Sequence, residues 1–362
     1  MKYVDEFRSP RLVEKIAAKI TALNPGKNIN IMEVCGTHTH NFFRFGLNKL
    51  LPKNIKLISG PGCPVCVSPQ SYIDAAIELA KNKNIIIATF GDMLRIPGSA
   101  SSLEKEKAKS GNVVVVYSPL DAVRLAAANP DKKIVFLAVG FETTAPAIAL
   151  SVLAAKNGKL QNISFFSALK LIPAAIAYLL LDKRLKLDGF LCPGHVSAII
   201  GTKDYAFIPK KYKLACCVTG FEPVDILEGV YMILEQIVRH KPYVANQYSR
   251  IVTKTGNTKA KKIMNRVFKI SDSNWRGFGI IADSGLELRK EFASLNTAQV
   301  FPLRLKSKSK FARLCRCADI LKGIISPTSC LLFARRCRPD SPIGPCMVSS
   351  EGSCNAYYRF RN

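Results

Sequence analysis

Cysteines and histidines near the start of the chain are the residues best suited to chemistry. Cys63 and Cys66 stand in the sequence Cys-Pro-Val-Cys, the spacing of a thiol–disulfide pair that follows a strand. Cys35 opens a second motif, Cys-Gly-Thr-His-Thr-His, which also contains His38 and His40. Thiolate and imidazole are ligands that suit iron or copper, although either histidine could instead orient its loop. The pattern predicts a redox-active thiol pair or a soft metal site, and it leaves both open.

A second group of six cysteines lies towards the end of the chain. Its members are Cys315, Cys317, Cys330, Cys337, Cys346 and Cys354. Counted from Cys317, the spacing C-x12-C-x6-C-x16-C selects Cys317, Cys330, Cys337 and Cys354. Four thiolates can hold a [4Fe-4S] cluster or a structural zinc, and the lack of a C-x2-C pair in this region favours the cluster. Cys315 competes with Cys317 for one ligand position, and Cys346 is expected to stay outside the set.

Other polar residues stand where apolar segments end. His195 follows Pro193 and Gly194 after one such segment, and Glu142 follows another. A carboxylate at a strand end can act as a base or support a metal ligand, although a single one is more often a helix cap. The chain contains no P-loop, no G-x-G-x-x-G and no G-x-S-x-G. Ordinary nucleotide binding and serine-hydrolase chemistry therefore lose support.

The elements that must position these residues alternate between apolar runs and helical patterns. The candidate strands are 29–34, 55–59, 85–90, 113–117, 134–139, 163–167, 190–192 and 214–218. A helix is predicted over 11–23, where apolar residues recur at intervals of three and four positions. Because apolar strands alternate with helices, the pattern predicts an α/β fold whose parallel sheets are covered on both faces.

The strand ends also indicate a weak internal repeat. Residues 30–40 and 135–146 each run from a strand through a glycine to a threonine-containing turn. We therefore predict two similar parallel-sheet α/β domains that face a central cleft outside the carboxyl ends of their strands. The predicted division is an N-terminal helix within 1–28, one α/β domain at 29–127, a second at 128–235 and a third domain at 236–362.

The pattern changes after about residue 235. A basic helix is predicted over 254–268 and a short strand over 275–281. The cysteine-rich tail that follows is too short to build much core by itself, so its order is expected to come from a metal. The third domain is therefore predicted to carry the iron–sulfur cluster.

Composition excludes several classes of protein. Of 362 residues, 48% are hydrophobic and 22% are charged, which excludes intrinsic disorder. No apolar run approaches the ~20 residues of a membrane-spanning helix, and the cysteine content without an export signal favours metal or redox chemistry in the cytoplasm. The net charge of +27 leaves an iron–sulfur protein that binds nucleic acid as one alternative. A thiol–disulfide oxidoreductase with a zinc tail is another.

Eight ordered motifs together resemble the HypD family of hydrogenase maturation proteins. They are CGTHTH at 35–40, GPGCPVC at 60–66, TFGDMLRIPGS at 89–99, GFETTAP at 140–146, PGHVS at 193–197, GFEPVDIL at 220–227, WRGFG at 275–279 and CMVSSEGSCNAYY at 346–358. The resemblance runs through nearly the whole chain. The C-x12-C-x6-C-x16-C spacing also resembles the family's [4Fe-4S] signature.

The resemblance implies a scaffold that assembles the Fe(CN)2CO unit of [NiFe]-hydrogenases rather than a conventional turnover enzyme. It implies that Cys35 holds the nascent iron, which carries cyanide and carbon monoxide in transit. Cys63 and Cys66 would form the dithiol/disulfide pair that passes electrons between the [4Fe-4S] cluster and the cleft. The other candidate residues of the cleft are His38, Glu142 and His195.

The resemblance also implies partners. A HypC-type chaperone would share the iron, a HypE-type protein would donate cyanide, and the hydrogenase large subunit would be served indirectly. Neither a membrane nor a nucleic acid is expected as a partner on this reading.

Overall fold

The computed structural model describes residues 5–303 and 314–360. Within them the chain forms two parallel sheets and one antiparallel hairpin. The first sheet has the order β2-β1-β7-β8-β9 and is parallel throughout. Its strands are β1 (Ile29–Glu33), β2 (Ile55–Ser59), β7 (Gly189–Pro193), β8 (Ala215–Thr219) and β9 (Val244–Asn246).

The second sheet has the order β4-β3-β5-β6 and is also parallel. Its strands are β3 (Ile85–Thr89), β4 (Val113–Val115), β5 (Lys133–Gly140) and β6 (Ile163–Leu169). All eight predicted strands are present in the two sheets, with ends that differ by at most two residues from the sequence prediction. The expectation of a parallel α/β fold is therefore confirmed.

Helices cover both sheets. They are α1 (Pro10–Leu23), α2 (Gly36–Arg44), α3 (Pro64–Val67), α4 (Gln70–Ala80), α5 (Leu103–Ser110), α6 (Pro119–Ala128), α7 (Ala145–Asn157), α8 (Ile172–Leu179), α9 (Gly194–Ile200), α10 (Phe207–Tyr212), α11 (Pro223–Val238), α12 (Thr258–Val267), α13 (Thr297–Val300), α14 (Cys317–Leu321), α15 (Pro345–Val348) and α16 (Ser353–Arg359). The predicted N-terminal helix is α1, which begins with Pro10 in its first turn and packs on α11. In the described residues no helix is both long and apolar enough to cross a membrane.

The two sheets do not follow the predicted domain ranges. The segment 29–127 supplies β1 and β2 to the first sheet but β3 and β4 to the second. The segment 128–235 is divided in the same way, with β5 and β6 in the second sheet and β7 and β8 in the first. The chain therefore leaves the first sheet after β2 and returns to it at β7, so no boundary at residue 127 separates the sheets.

The arrangement of strands also differs from the repeat read from the turn motifs. That repeat aligned residues 30–40 with 135–146, which places β1 beside β5 as equivalents. In the sheets, β1 and β3 hold equivalent positions. Strand β1 lies between β2 and β7, and β3 lies between β4 and β5. Similar turn motifs therefore follow strands that are not equivalent in the two sheets. Strand-to-helix turns favour the same small residues wherever they occur, so their similarity does not show a repeat.

The region after β9 has two parts. The first is an antiparallel hairpin of β10 (Phe268–Trp275) and β11 (Gly279–Leu288), which packs beside β6 and α8. The predicted short strand at 275–281 is instead the turn of this hairpin, with positive φ at Gly277 and Gly279. The second part is the cysteine-rich segment 314–360, whose last two helices pack on α2 and α3 near the start of the chain. The C-terminal region is therefore joined to both sheets.

Candidate functional site

The two N-terminal cysteine motifs meet at the carboxyl ends of neighbouring strands. Cys35 follows β1 and precedes α2, while Cys63 follows β2 and precedes α3. The N–H of Gly36 donates to the carbonyl of Gly62 over 3.1 Å, which joins the two loops. A Cβ on Gly62 would collide with the backbone of Cys35, so only glycine allows this approach. The parallel pairing of β1 and β2 therefore brings the predicted thiols to one place.

Cys63 and Cys66 form a disulfide with a Cα–Cα distance of 5.2 Å. The N–H of Cys66 donates to the Cys63 sulfur over 3.1 Å. Both side chains are almost fully buried, at 2% and 0% exposure. A large disulfide substrate has no access to such a pair, which disfavours a general thiol–disulfide oxidoreductase.

Cys35 is a free, buried thiol. Burial raises its pKa to about 12, and the nearby carboxylate of Glu351 adds to the rise. Hydrogen bonds from Thr37 and from the His38 backbone act in the opposite direction but do not cancel it. A Cys35 thiolate at neutral pH therefore needs a compensating cation, which a bound metal ion supplies.

Two carboxyl groups that the sequence analysis did not select lie beside Cys35. Glu33 is buried, accepts from the Cys35 N–H over 3.3 Å and binds the hydroxyl of Thr39. Burial raises the pKa of Glu33 to about 8. Glu351 accepts from the Thr37 hydroxyl over 2.7 Å, although the two residues stand 314 positions apart. Glu33 is the last residue of β1, at the alternate position after Ile29 and Ile31, and could have been found from the sequence. No motif in the sequence around Glu351 points to that residue.

His38 and His195 flank the ring of Phe221. The His38 ring stacks on Phe221 with 4.7 Å between centroids, and His195 stacks on it with 3.8 Å. Nε2 of His38 lies 2.9 Å from the Gly220 carbonyl and 3.0 Å from the Thr219 hydroxyl. Burial lowers the pKa of His38 to about 4, which keeps its ring neutral. These contacts tie α2 to the end of β8, so the geometry supports a positioning role for His38.

His195 lines a cavity of about 700 Å³ at the carboxyl ends of the first sheet. Thr37, from the helix that follows Cys35, lines the same cavity with Tyr248 and Arg250. Arg250 forms a two-pronged ion pair with the fully buried Asp225, at 2.8 and 2.7 Å. The cavity therefore borders the Cys35 helix and has aromatic and charged walls.

Glu142 lies at the end of β5, in the second sheet. It is 1% exposed, and one of its oxygens accepts from the N–H of Ile172 over 2.9 Å. The other oxygen is buried and has no hydrogen-bond partner among the residues that the structure describes. Burial raises its pKa to about 8, and the charge that adds to the rise comes from Asp204. The structure therefore places Glu142 at a strand end, as predicted, but gives it a backbone partner.

The six C-terminal cysteines all line one small apolar cavity of about 20 Å³. Cys317 and Cys346 are joined in a disulfide with a Cα–Cα distance of 6.5 Å. Paired in this way, neither sulfur is a free thiolate, and the assignment of Cys317 as a metal ligand stays a prediction. The pairing also gives Cys346, which was expected to lie outside the set, a partner. The free cysteines of the cavity are Cys315, Cys330, Cys337 and Cys354.

The free set begins at Cys315, so its spacing is C-x14-C-x6-C-x16-C. Among residues 5–303 and 314–360 the side chains do not form a group of three or more His, Cys, Asp or Glu poised around one metal ion. The donor set nevertheless fits an iron–sulfur cluster, which takes four cysteine sulfurs in an apolar shell. The other walls include Ile320, Leu332 and Phe333. No carboxylate or imidazole competes among the lining residues.

The two cysteine regions are in contact. The short helix α15 carries Cys346 and packs on α3, which carries Cys66. Helix α16 carries Cys354 and packs on α2, which Cys35 caps. The two disulfides and Cys337 belong to one continuous buried core. The described structure therefore joins the C-terminal cavity to the Cys35 loop through sulfur-bearing elements.

Comparison with known proteins shows a family relationship. The family model described as "HypD: Hydrogenase formation hypA family" matches residues 11–361. The chain belongs to the HypD family. All of the cysteines described above lie within the matched residues. The resemblance drawn from the ordered motifs is confirmed.

Individual HypD relatives match over nearly their whole length. The chain is 44% identical to the hydrogenase expression/formation protein HupD of Azotobacter chroococcum, over 99% of this chain and 97% of that protein. It is 44% identical to the hydrogenase maturation factor HypD of Azotobacter vinelandii over the same shares. It is 42% identical to the HypD of Escherichia coli, over 100% of this chain and 98% of that protein.

Proposed function

We propose that this HypD-family chain is a hydrogenase maturation scaffold that holds an iron substrate at Cys35 while cyanide and carbon monoxide are attached to it. The observation that carries the proposal is the packing of two disulfides and four free thiols in one core, beside the helix that Cys35 caps. A simple redox enzyme needs one thiol pair, and a simple structural metal site needs four thiols. The combination fits a protein that binds a metal and also carries out redox reactions at its thiol pairs.

The surroundings of Cys35 suit a soft iron ligand. The thiol is 8% exposed and lies at the N-terminal end of α2, where helix N–H groups favour negative charge. Because Glu33 has a pKa of about 8, it is mostly protonated at neutral pH and adds little negative charge. Cyanide and carbon monoxide need an electron-rich Fe(II), and a thiolate in a water-poor site supports one.

The C-terminal cavity would hold the resident cofactor. Cys315, Cys330, Cys337 and Cys354 would bind a [4Fe-4S] cluster, which supplies one-electron chemistry when bound. Two electrons and two protons convert the Cys317–Cys346 disulfide into two thiols. Exchange with Cys63–Cys66 then reforms the first disulfide and leaves Cys63 and Cys66 reduced. The contact of α15 with α3 supports this order.

The proposed partners are a HypC-type chaperone that shares the iron and a HypE-type cyanide donor. The cavity of about 700 Å³ lined by Thr37 and His195 supports approach of a partner from the side of the first sheet. A shared iron with few ligands from this chain can leave when the chaperone dissociates. The hydrogenase large subunit would then receive the iron unit without contacting this chain.

The proposal is tested by infrared spectroscopy on protein purified without oxygen together with its HypC-type and HypE-type partners. Metal-bound cyanide and carbon monoxide on soft-ligated iron absorb between about 1900 and 2150 wavenumbers. The natural chain is expected to show these bands and Cys35→Ala is expected to lack them. Cys217→Ala, a buried thiol in the middle of β8, is the matched control and should keep them. Full bands in Cys35→Ala would refute the role of Cys35.

A further inference from the structure

The turn between Cys330 and Cys337 is a hydrogen-bonded part of the cysteine-rich segment. The N–H groups of Arg335, Arg336 and Cys337 all donate to the Leu332 carbonyl, at 3.2, 3.2 and 2.9 Å. Ala334 has a φ of 58°, and its N–H donates to the Cys337 carbonyl over 3.2 Å. This network fixes the backbone between two free cysteines. We call residues 330–338 the arginine turn.

The arginine turn exposes one large apolar side chain and three positive ones. Leu331 is 83% exposed, the second most exposed large hydrophobic residue among those the structure describes. Arg335, Arg336 and Arg338 are exposed, and no carboxylate of the described residues forms an ion pair with any of them. An exposed leucine close in sequence to three exposed arginines that lack a carboxylate partner is typical of an interaction surface.

Cys330 connects this surface with the interior. On its inner side it lines the apolar cavity shared with Cys315, Cys337 and Cys354. On its outer side it lines a second, open pocket of about 220 Å³ together with Leu331 and Arg335. Of the residues described, only Cys330 and Phe333 line both spaces. The arginine turn is therefore one of two places where a free thiol of the cavity also lines an open pocket, the other being at Cys315.

We propose that the arginine turn is the docking site of a small acidic protein that carries single electrons, and that electrons enter the chain beside Cys330. This inference rests on the proposed function, which needs an outside reductant. An acidic carrier complements the arginines in charge, and its apolar contact around the redox centre complements Leu331. Long-range attraction speeds such an encounter, while the small contact allows rapid release.

The electron balance sets how often the carrier must dock. Reduction of the Cys317–Cys346 disulfide breaks one S–S bond and needs two electrons and two protons. Two molecules of reduced carrier give one electron each and leave oxidised, while the protons come from water. A weak and short-lived complex serves two successive dockings better than a tight one.

Binding to a defined probe tests the docking site. The probe is oxidised plant-type [2Fe-2S] ferredoxin, a small acidic one-electron carrier. Reversing two charges with Arg335→Glu and Arg336→Glu is expected to weaken its Kd roughly tenfold at low salt. The effect should vanish near 1 M salt, where the Debye length is about 3 Å. Lys210→Glu with Lys211→Glu, two exposed positions on α10, is the control of equal charge change and should bind like the natural chain.

Reduction kinetics on the full chain with reconstituted iron and sulfide separate docking from electron transfer. Reduced ferredoxin should bleach the visible absorbance roughly tenfold more slowly in the arginine double variant than in the lysine control. Dithionite, which needs no docking, should act at the same rate on both. Equal rates with ferredoxin would overturn the docking site and leave the proposed function standing. A chain that takes up no iron and sulfide would overturn both.

The same variants test whether a nucleic acid, rather than an acidic protein, occupies the arginine turn. An RNA or DNA oligonucleotide is offered at the same salt concentrations as the ferredoxin. Nucleic acid that binds more tightly than ferredoxin, and loses its binding in the arginine double variant, would show that the arginines serve phosphates and would overturn the inference. Oligonucleotide binding that is equal in the two double variants would reflect the general positive charge and supports the assignment of the turn to the acidic carrier.

Discussion

At the scale of single residues, Glu351 adds to the effect of burial on the Cys35 thiol. Its carboxylate raises the Cys35 pKa, and its hydrogen bond from Thr37 holds it in place. Glu351→Gln keeps an oxygen for Thr37 but removes the charge, so the Cys35 pKa should fall below its present value of about 12. Alkylation of Cys35 by iodoacetamide at pH 9 should then run roughly fivefold faster.

The control for this measurement is Glu287→Gln, a half-exposed carboxylate paired with Lys269 on the hairpin. It removes the same charge from a different element and should leave the alkylation rate unchanged. If Glu351→Gln alkylates at the rate of the natural chain or more slowly, the carboxylate does not act on the thiol through its charge.

The protonation of Glu33, beside Cys35, makes the free energy of unfolding depend on pH. Burial raises its pKa from 4.5 to about 8, so between these values the folded protein holds a proton that the unfolded chain releases. The free energy of unfolding must therefore fall as the pH rises through this range, and the loss is complete above about pH 8. Glu33→Gln imitates the protonated carboxyl and should lose about 2 kcal/mol less than the natural chain between pH 6 and pH 9.

Urea unfolding at the two pH values measures this difference. Glu142 and Lys170 also have shifted pKa values and act in opposite directions, but both remain in the two proteins and cancel in the comparison. His38 does not interfere, because its lowered pKa affects stability only below about pH 6.5. An equal pH dependence in both proteins would mean that Glu33 is ionised in the fold at pH 6.

At the scale of elements, the approach of two loops depends on one glycine. A side chain at Gly62 would collide with the backbone of Cys35, and neither loop can yield without breaking the bond from Gly36 to Gly62. Gly62→Ala should therefore destabilise the protein by roughly 1–3 kcal/mol and separate Cys35 from the disulfide loop.

Thermal unfolding gives the stability, and copurified iron reports on the site. Gly91→Ala is the matched control, because a Cβ there would meet only the tip of Val115 at 3.9 Å. It should keep both stability and iron. A Gly62→Ala protein as stable as the control would show that the two loops can part freely.

The elements also show what sequence reasoning could and could not find. The strands were predictable because buried parallel strands are continuous apolar runs, such as Ile134–Val139 within β5. Their sheet membership was not, because long crossovers leave open which strands pair. The turn at Gly277 was taken for part of a strand because Trp275 and Ile281 are both apolar. In the structure Trp275 ends β10, whereas Ile281 lies in β11, on the other arm of the hairpin.

In the site, too, local patterns were predictable from the sequence and tertiary contacts were not. Cys35, Cys63 and Cys66 were found because local spacing reveals a thiol motif, and the parallel pairing of β1 with β2 then brings them together. Glu351 could not be found, because its contact with Thr37 depends on the C-terminal segment folding back over α2. The choice between Cys315 and Cys317 also depended on tertiary packing, since both stand in the same short stretch.

At the scale of the whole molecule, the disulfide of Cys317 separates metal binding from electron transfer. Since Cys317 pairs with Cys346, Cys317→Ser should leave the iron and sulfide content near that of the natural chain. Cys315→Ser should lose most of both, because Cys315 is a free thiol of the cavity.

With dithionite as reductant, the Cys63–Cys66 disulfide should stay oxidised in Cys317→Ser, since the intervening thiol pair is missing. Iron analysis and thiol alkylation with mass spectrometry read the two outcomes separately. Loss of iron in Cys317→Ser with retention in Cys315→Ser would return Cys317 to the ligand set, and a reduced Cys63–Cys66 pair in Cys317→Ser would mean that electrons reach the cleft by another route.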